Sequence, residues 1–272
     1  VPDTPRWYVQ RGRDADALKV LERLSDEADA KKTLAEIKST LVSHTRPLLS
    51  FGVVVLVVGI LLSVFQQFVG INAVLYYAPL MFENLGLGTQ AAFLNTVGVG
   101  IAMVVFTVIA QMLVDKWGRK PLLITGSVIM AVAMLALGFL FYANGTGTAG
   151  AMSMSHASGL WGLLWIVLYI AGFSLSWGPI VWVMLAEIFP NSIKGQAMAI
   201  AVAAQWVANL FVSWSFKVMD GSSALNIFFN HGFPYWVYGV VSIVSAVFVW
   251  RMVPETKGRS LEAIQELWQK KA

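Results

Sequence analysis

The sequence predicts an all-α membrane protein, a bundle of six transmembrane helices, on three observations. Of its 272 residues, 57% are apolar and only 12% charged, with a mean hydropathy of +0.68, whereas soluble domains carry about 25% charged residues. Six stretches reach the roughly 20 mainly apolar residues that a bilayer crossing needs. Of the 19 lysines and arginines, only Lys217 falls on one of two alternating sets of connectors. The charge-rich set is 1–47, 115–120, 187–194 and 253–272, and the charge-poor set is 84–90, 143–160 and 217–233. By the positive-inside rule the first set is cytoplasmic, with both termini inside.

The first span covers about 49–69 and resumes at 72–83 after Gly70. The second covers 91–114 and the third 121–142. The fourth runs over 161–186 with an interruption at Gly178-Pro179, since proline removes a backbone donor and loosens a helix. The fifth covers 195–216 and the sixth 234–252. Spans one and four each open a group of three and each is broken, which points to two inverted three-helix repeats with a ligand site at the breaks. Before the spans, 1–47 reads as a cytoplasmic segment. Leu18, Val20, Leu21, Leu24 and then Leu34, Ile37 and Leu41 mark two short amphipathic helices within 14–42. The bundle occupies 48–253. In the tail, 254–272, Ser260 caps a helix with Leu261, Ile264, Leu267 and Trp268 on one face.

There is no cysteine, so a disulfide framework or thiolate metal site is excluded. The chain begins with Val1 and a charged stretch rather than a signal peptide, as a piece of a longer protein would. No metal-ligand cluster, nucleophile–base pattern or phosphate loop stands out. The expectation is therefore no enzyme, no cofactor and no nucleic-acid partner.

The residues that could carry function are uncharged. No Asp, Glu, Lys or Arg lies between Arg46 and Glu83, yet that stretch holds Gln66, Gln67, Asn72, Tyr76 and Tyr77. Polar groups at bilayer depth are costly and usually face a cavity or another helix. Amides both donate and accept hydrogen bonds, and aromatic faces cover C–H surfaces, which suits a neutral, hydroxyl-rich solute. The fifth span adds Gln205, Trp206 and Asn209, with Gln205, Asn209 and Ser213 on one face. The fourth adds Trp177 and Trp182. A lone amide such as Asn95 reads as contact between helices, whereas Gln66, Gln67, Asn72 and Gln205 together read as a ligand cavity. Trp161, Trp236 and Trp250 suit an interfacial belt. Acidic residues stay at span ends, so a proton-accepting group is not evident within the spans. At the cytoplasmic ends, Asp115-Lys116-Trp117-Gly118-Arg119-Lys120-Pro121, Glu187-Ile188-Phe189-Pro190 with Lys194, and Pro254-Glu255-Thr256-Lys257-Gly258 could form an ionic latch.

Together these motifs resemble the sugar porter family of the major facilitator superfamily, over its C-terminal six spans only. Pro2-Asp3-Thr4-Pro5-Arg6-Trp7 is similar to the family's motif after the sixth span, with Asp3 for the usual Glu. Gln66-Gln67 with Gly70, Asn72 and Tyr76-Tyr77 matches the seventh-span signature, and Gly178-Pro179 with Trp182 that of the tenth. Asp115 to Lys120, Glu187 to Lys194 and Pro254 to Gly258 match the cytoplasmic motifs. The Phe65–Asn72 run and the run from Ala199 through Ala208 look most like bacterial D-xylose–proton symporters.

The resemblance implies that Gln66, Gln67, Asn72, Trp182 and Gln205 contact a monosaccharide, and that Tyr76 and Trp206 line or gate the cavity. It implies a latch of Asp115, Arg119, Glu187, Lys194 and Glu255. The family usually has Arg where Lys194 stands, and lysine lacks the planar fork of arginine. It also implies a bacterial inner-membrane location and, as partner, an N-terminal six-span half that is absent from this chain. Alone, half of a rocking pair has nothing to move against. The other readings are a non-transporting sugar sensor and a truncated structural or regulatory fragment.

Overall fold

The structure, a computed structural model, describes residues 4–23, 25–41, 47–84, 89–144, 155–190, 192–258 and 264. Leu24, the proposed tail residues Ser260, Leu261, Leu267 and Trp268, and the motif residues Pro2 and Asp3 lie outside them. All elements among the described residues are helices. The chain separates into two compact units, Val1–Ser50 and Phe51–Ala272.

The smaller unit holds α1 (Pro5–Gln10), α2 (Asp14–Leu21) and α3 (Glu27–Leu41). Helix α1 starts where Thr4 accepts from the Trp7 amide at 3.3 Å and Pro5 takes the first position, where its missing N–H costs nothing. The guanidinium of Arg11 lies 4.3 Å over the Trp7 ring. Helices α2 and α3 are the two amphipathic helices that the periodicity predicts. Ala17, Leu21 and Ala30 are buried, and Lys38 pairs with Asp14 at 2.6 Å.

The larger unit contains six helices, two of them broken, long and apolar enough to cross a membrane. The first span is α4 (Val53–Phe68) followed by α5 (Ile71–Asn84), the second α6 (Thr89–Trp117) and the third α7 (Arg119–Asn144). The fourth is α8 (His156–Leu175) followed by α9 (Trp177–Ile188), the fifth α10 (Lys194–Asp220) and the sixth α12 (Phe233–Met252). A short α11 (Ser223–Phe229), which the hydropathy does not predict, bridges the last two. Ser222 caps its start, and Asn230, with φ 45°, closes its end.

The first break is where the sequence puts it, at Gly70, whose φ of +96° suits glycine alone. A Cβ there would fall 2.6 Å from the Tyr238 ring, so close packing excludes a side chain as well. The second break is not at Gly178-Pro179. It falls two residues earlier, at Ser176 (φ −135°, ψ −88°), and Gly178 and Pro179 lie in the first turn of α9. Proline acts upstream: it gives no N–H to the carbonyl four residues back, that of Leu175, and its ring crowds that carbonyl. Ser176 ends α8 by donating its N–H to the Phe173 carbonyl (3.0 Å) and its hydroxyl to the Gly172 carbonyl (2.6 Å).

Span one packs on span five, and span four on span two, while spans three and six pair with each other. Exchanging the first three spans for the last three keeps these three pairings, as inverted repeats require, but not the close packing of span three on span four, which has only a weak counterpart between spans six and one. Small residues let the helices approach. Across α7 and α12, Ser127 and Ser245 share a 3.0 Å hydrogen bond, and Phe141 stacks on Tyr235 at 4.8 Å. Where α7 meets α8, a Cβ on Gly126 would strike the Ser176 side chain and come within 2.7 Å of the Gly172 carbonyl. Helix α6 stays the most open, with Val97, Ile101, Val104, Val108 and Met112 exposed.

Gly126→Val should therefore push α7 from α8. We expect a loss of about 1–3 kcal/mol, the usual cost of overpacking, read as a lower thermal unfolding midpoint in detergent. An unchanged midpoint would show that this seam is loosely packed.

Candidate functional site

The mid-span polar groups come from α4, α5, α9 and α10, where α4 and α10 each contact the other three helices. Gln66 and Gln67 end α4 and are 3% and 6% exposed; Gln205 and Asn209, on α10, are both 7% exposed. None of these amides is aimed at the outside of the bundle.

Their hydrogen bonds are incomplete in a directed way. The amide nitrogen of Gln66 donates to the carbonyls of Trp177 (2.9 Å) and Gly178 (3.3 Å) at the start of α9. Carbonyls only accept, so this contact assigns the nitrogen end of the side chain. The oxygen, Oε1, is left buried with no donor, as is Oε1 of Gln205. A buried unmet acceptor costs about 1–3 kcal/mol, which a hydroxyl-bearing ligand would relieve. Asn72 on α5 donates to Gln67 Oε1 at 2.5 Å, joining the two sides of the first break. On α10, Ser213 donates to Asn209 Oδ1 at 3.2 Å, and the Tyr77 hydroxyl reaches the Ser213 carbonyl at 3.4 Å.

The aromatic candidates stand differently. Tyr76 is 58% exposed, Trp182 42% and Trp206 64%. Trp206 follows Gln205 and therefore points about 100° away around the helix. It shares an open face of α10 with Leu210 and Trp214 and does not converge with Gln205 inside this bundle.

At the other constellation the structure gathers Asp115, Arg119, Glu187 and Glu255, and leaves Lys194 out. Arg119, with a side chain 13% exposed, donates to Asp115 Oδ1 (3.0 Å) and Glu187 Oε1 (2.9 Å). Glu187 Oε2 accepts from the Thr256 hydroxyl at 2.5 Å, so α6, α7, α9 and the segment after α12 meet in one cluster. Thr256 lies inside the closing motif, but an uncharged residue carries no signal for a role in an ionic latch. Lys194 opens α10 beyond the turn at Pro190–Ile193 and makes no ion pair among the described residues.

Among the described residues Glu255 is not an ion-pair partner either. Its carboxylate accepts four backbone N–H groups: those of Arg119 (3.1 Å) and Lys120 (3.0 Å), which open α7, and those of Thr256 and Lys257 (both 2.9 Å). A carboxylate at a helix start satisfies orphan donors and matches the helix dipole. Gly118 makes room for it, since a Cβ at 118 would lie 2.7 Å from the carboxylate. The opposite ends are closed by lysines: Lys120 Nζ donates to the Trp250 carbonyl (2.7 Å), and Lys257 Nζ to the Lys116 carbonyl (2.5 Å).

Among the described residues no group of three or more His, Cys, Asp or Glu could hold a metal ion. The arrangement offers uncharged hydrogen-bond donors and acceptors at mid-span and ties helix ends together.

The model of the family described as "Sugar (and other) transporter" matches residues 1–268. The chain is 48% identical over 273 residues to the D-xylose-proton symporter of Escherichia coli strain K12, covering 99% of this chain and 53% of that protein. It is also 48% identical over 271 residues to the glucose facilitated diffusion protein of Zymomonas mobilis, covering 98% of this chain and 55% of that protein. Among solved structures, the proton:xylose symporter XylE bound to 6-bromo-6-deoxy-D-glucose superposes with a TM-score of 0.77 at 48% identity, over 98% of this chain and 55% of that one. The inward-open xylose transporter XylE from E. coli superposes with a TM-score of 0.72 at 44% identity, over 98% of this chain and 52% of that one. The chain thus spans about half the length of the curated relatives it matches. With its six broken or continuous membrane-crossing helices, it belongs to the sugar transporter family of the major facilitator superfamily and corresponds to the C-terminal half of such a porter.

Proposed function

We propose that this chain is the sugar-binding C-terminal bundle of a proton-coupled monosaccharide transporter, with D-xylose or a related sugar as substrate. One observation carries the reading. In a chain 48% identical to a D-xylose-proton symporter, two glutamines from different spans hold buried acceptor oxygens without donors. Sugar hydroxyls are donors that fit them. The Asn72–Gln67 pair offers further donors and acceptors beside the first break. Trp182 supplies a face for the sugar ring.

Transport is alternating access, with recognition by hydrogen bonds and no covalent chemistry. The exposed Tyr76, Trp182 and Trp206 are groups that a second six-span bundle would cover. Among the described residues the carboxylates of the spans, Glu83, Asp115, Glu187 and Asp220, all sit at span ends, which favours a coupling carboxylate in the other half. The cluster of Arg119, Glu187, Asp115 and Thr256, with the cap by Glu255, closes the cytoplasmic face and must part when that face opens. Both termini are cytoplasmic by the charge bias of the connectors, and the bacterial relatives favour the inner membrane of a bacterium.

Three outcomes test this. Uptake of radiolabelled xylose into vesicles should need both this chain and a co-produced N-terminal half; uptake by this chain alone would refute the half-transporter reading. In the assembled transporter, Gln66→Ala and Gln205→Ala should each weaken xylose binding by about tenfold, the value of one or two hydrogen bonds, by titration calorimetry. Unchanged affinity in both removes the site assignment. Glu255→Ala should cost about 1–2 kcal/mol, as the loss of a helix cap does, and speed amide exchange in the first turn of α7. Full protection there would show that the cap is dispensable.

A further inference from the structure

The two helix breaks are tied crosswise. At the first, Val69 and Gly70 turn the chain, and the Val69 carbonyl has no backbone donor among the described residues. The hydroxyl of Tyr169, on α8 in the fourth span, donates to it at 2.9 Å. At the second, the carbonyls of Trp177 and Gly178 receive the amide of Gln66, on α4 in the first span. Each broken span is thus held at its break by a side chain from the other. Tyr169 is fully buried and Gln66 nearly so, so neither bond competes with water.

Spans one and four run in opposite directions. Helix α5 therefore leaves its break toward one face of the bundle, and α9 leaves its break toward the other. The far end of α9 carries Glu187 in the Arg119 cluster. The first two turns of α5 carry Asn72 and Tyr76. A displacement of α9 drags Gln66 and the end of α4, which is where Tyr169 grips Val69. On its other side Gly70 is backed by the Tyr238 ring, which leaves the turn little room to absorb the movement.

We propose that Tyr169 and Gln66 form a reciprocal clasp that makes α5 and α9 move as a linked pair. Tyr169 is a positioning residue: its hydroxyl holds the Val69 carbonyl and so sets where Asn72 and Tyr76 stand. The consequence for sugar binding rests on the assignment of the sugar site to Gln66, Asn72 and Gln205, but the clasp itself does not.

The test is amide hydrogen exchange on the 272-residue chain in lipid nanodiscs. Tyr169→Phe deletes one oxygen, and Tyr235→Phe, an equally buried tyrosine on α12, is the control. Tyr169→Phe should speed exchange about fivefold, the worth of one buried hydrogen bond, over both 71–78 and 180–186, with α7 and α12 unchanged. Gln66→Leu should do the same over both segments, and Tyr235→Phe over neither. No change in either segment, a change confined to one of them, or an even rise across all six spans overturns the clasp. Adding saturating D-xylose to the unmutated chain assembled with an N-terminal half separates the clasp from the sugar site. Protection of 71–78 supports the sugar site, while no protection overturns that site and leaves the outcome for the clasp unaffected.

Discussion

Hydrocarbon offers the backbone no water, so every carbonyl or amide freed by a helix break must find its partner inside the protein. This constraint organises the bundle. Gly70 and Pro179 interrupt two helices; at the second break Ser176 meets the Gly172 and Phe173 carbonyls, and at the first Tyr169 from another span meets that of Val69. Each interruption thereby becomes a contact between helices. The amides that would recognise a solute sit on these same contacts, because a break is the place where lipid-depth backbone can turn toward a cavity.

Helix ends at the bundle's charged face obey the same rule with different chemistry. The first amides of α7 go to Glu255, and the last carbonyls of α6 and α12 go to Lys257 and Lys120. Among the described residues only Arg119 bridges two carboxylates. The face is a set of mutual caps with one ion-pair centre, a tighter and more local arrangement than a row of opposite charges.

Much of this is legible in the sequence, for definable reasons. Hydropathy and the lysine and arginine bias mark six spans because lipid enforces both. Gly70 marks its own break because only glycine tolerates the turn. The second break lies two residues before the expected Gly178-Pro179 because proline disrupts the turn before it rather than its own position. Gln66, Gln67, Asn72 and Gln205 stand out as uncharged amides in apolar runs, and all but Asn72 are buried. The direction of Gln66, the grip of Tyr169 and the bridge through Thr256 are invisible in the sequence. Each links residues roughly 70 to 110 positions apart, and local pattern carries no information about such pairs. Lys194 and Glu255 register in the sequence only as charges, whereas position in a turn and access to free N–H groups decide their contacts.

The cradle around Glu255 bears on how the protein responds to ionic strength. A carboxylate bound by four main-chain amides needs no mobile cation, and its contacts are short and directional. The exposed Asp115 arm of the Arg119 pair, by contrast, is open to screening by dissolved salt. Raising the salt concentration should loosen the arginine centre while the start of α7 stays fastened. The two halves of this fastening can thus be addressed independently, one by electrolyte and the other only by changing the residues that build it.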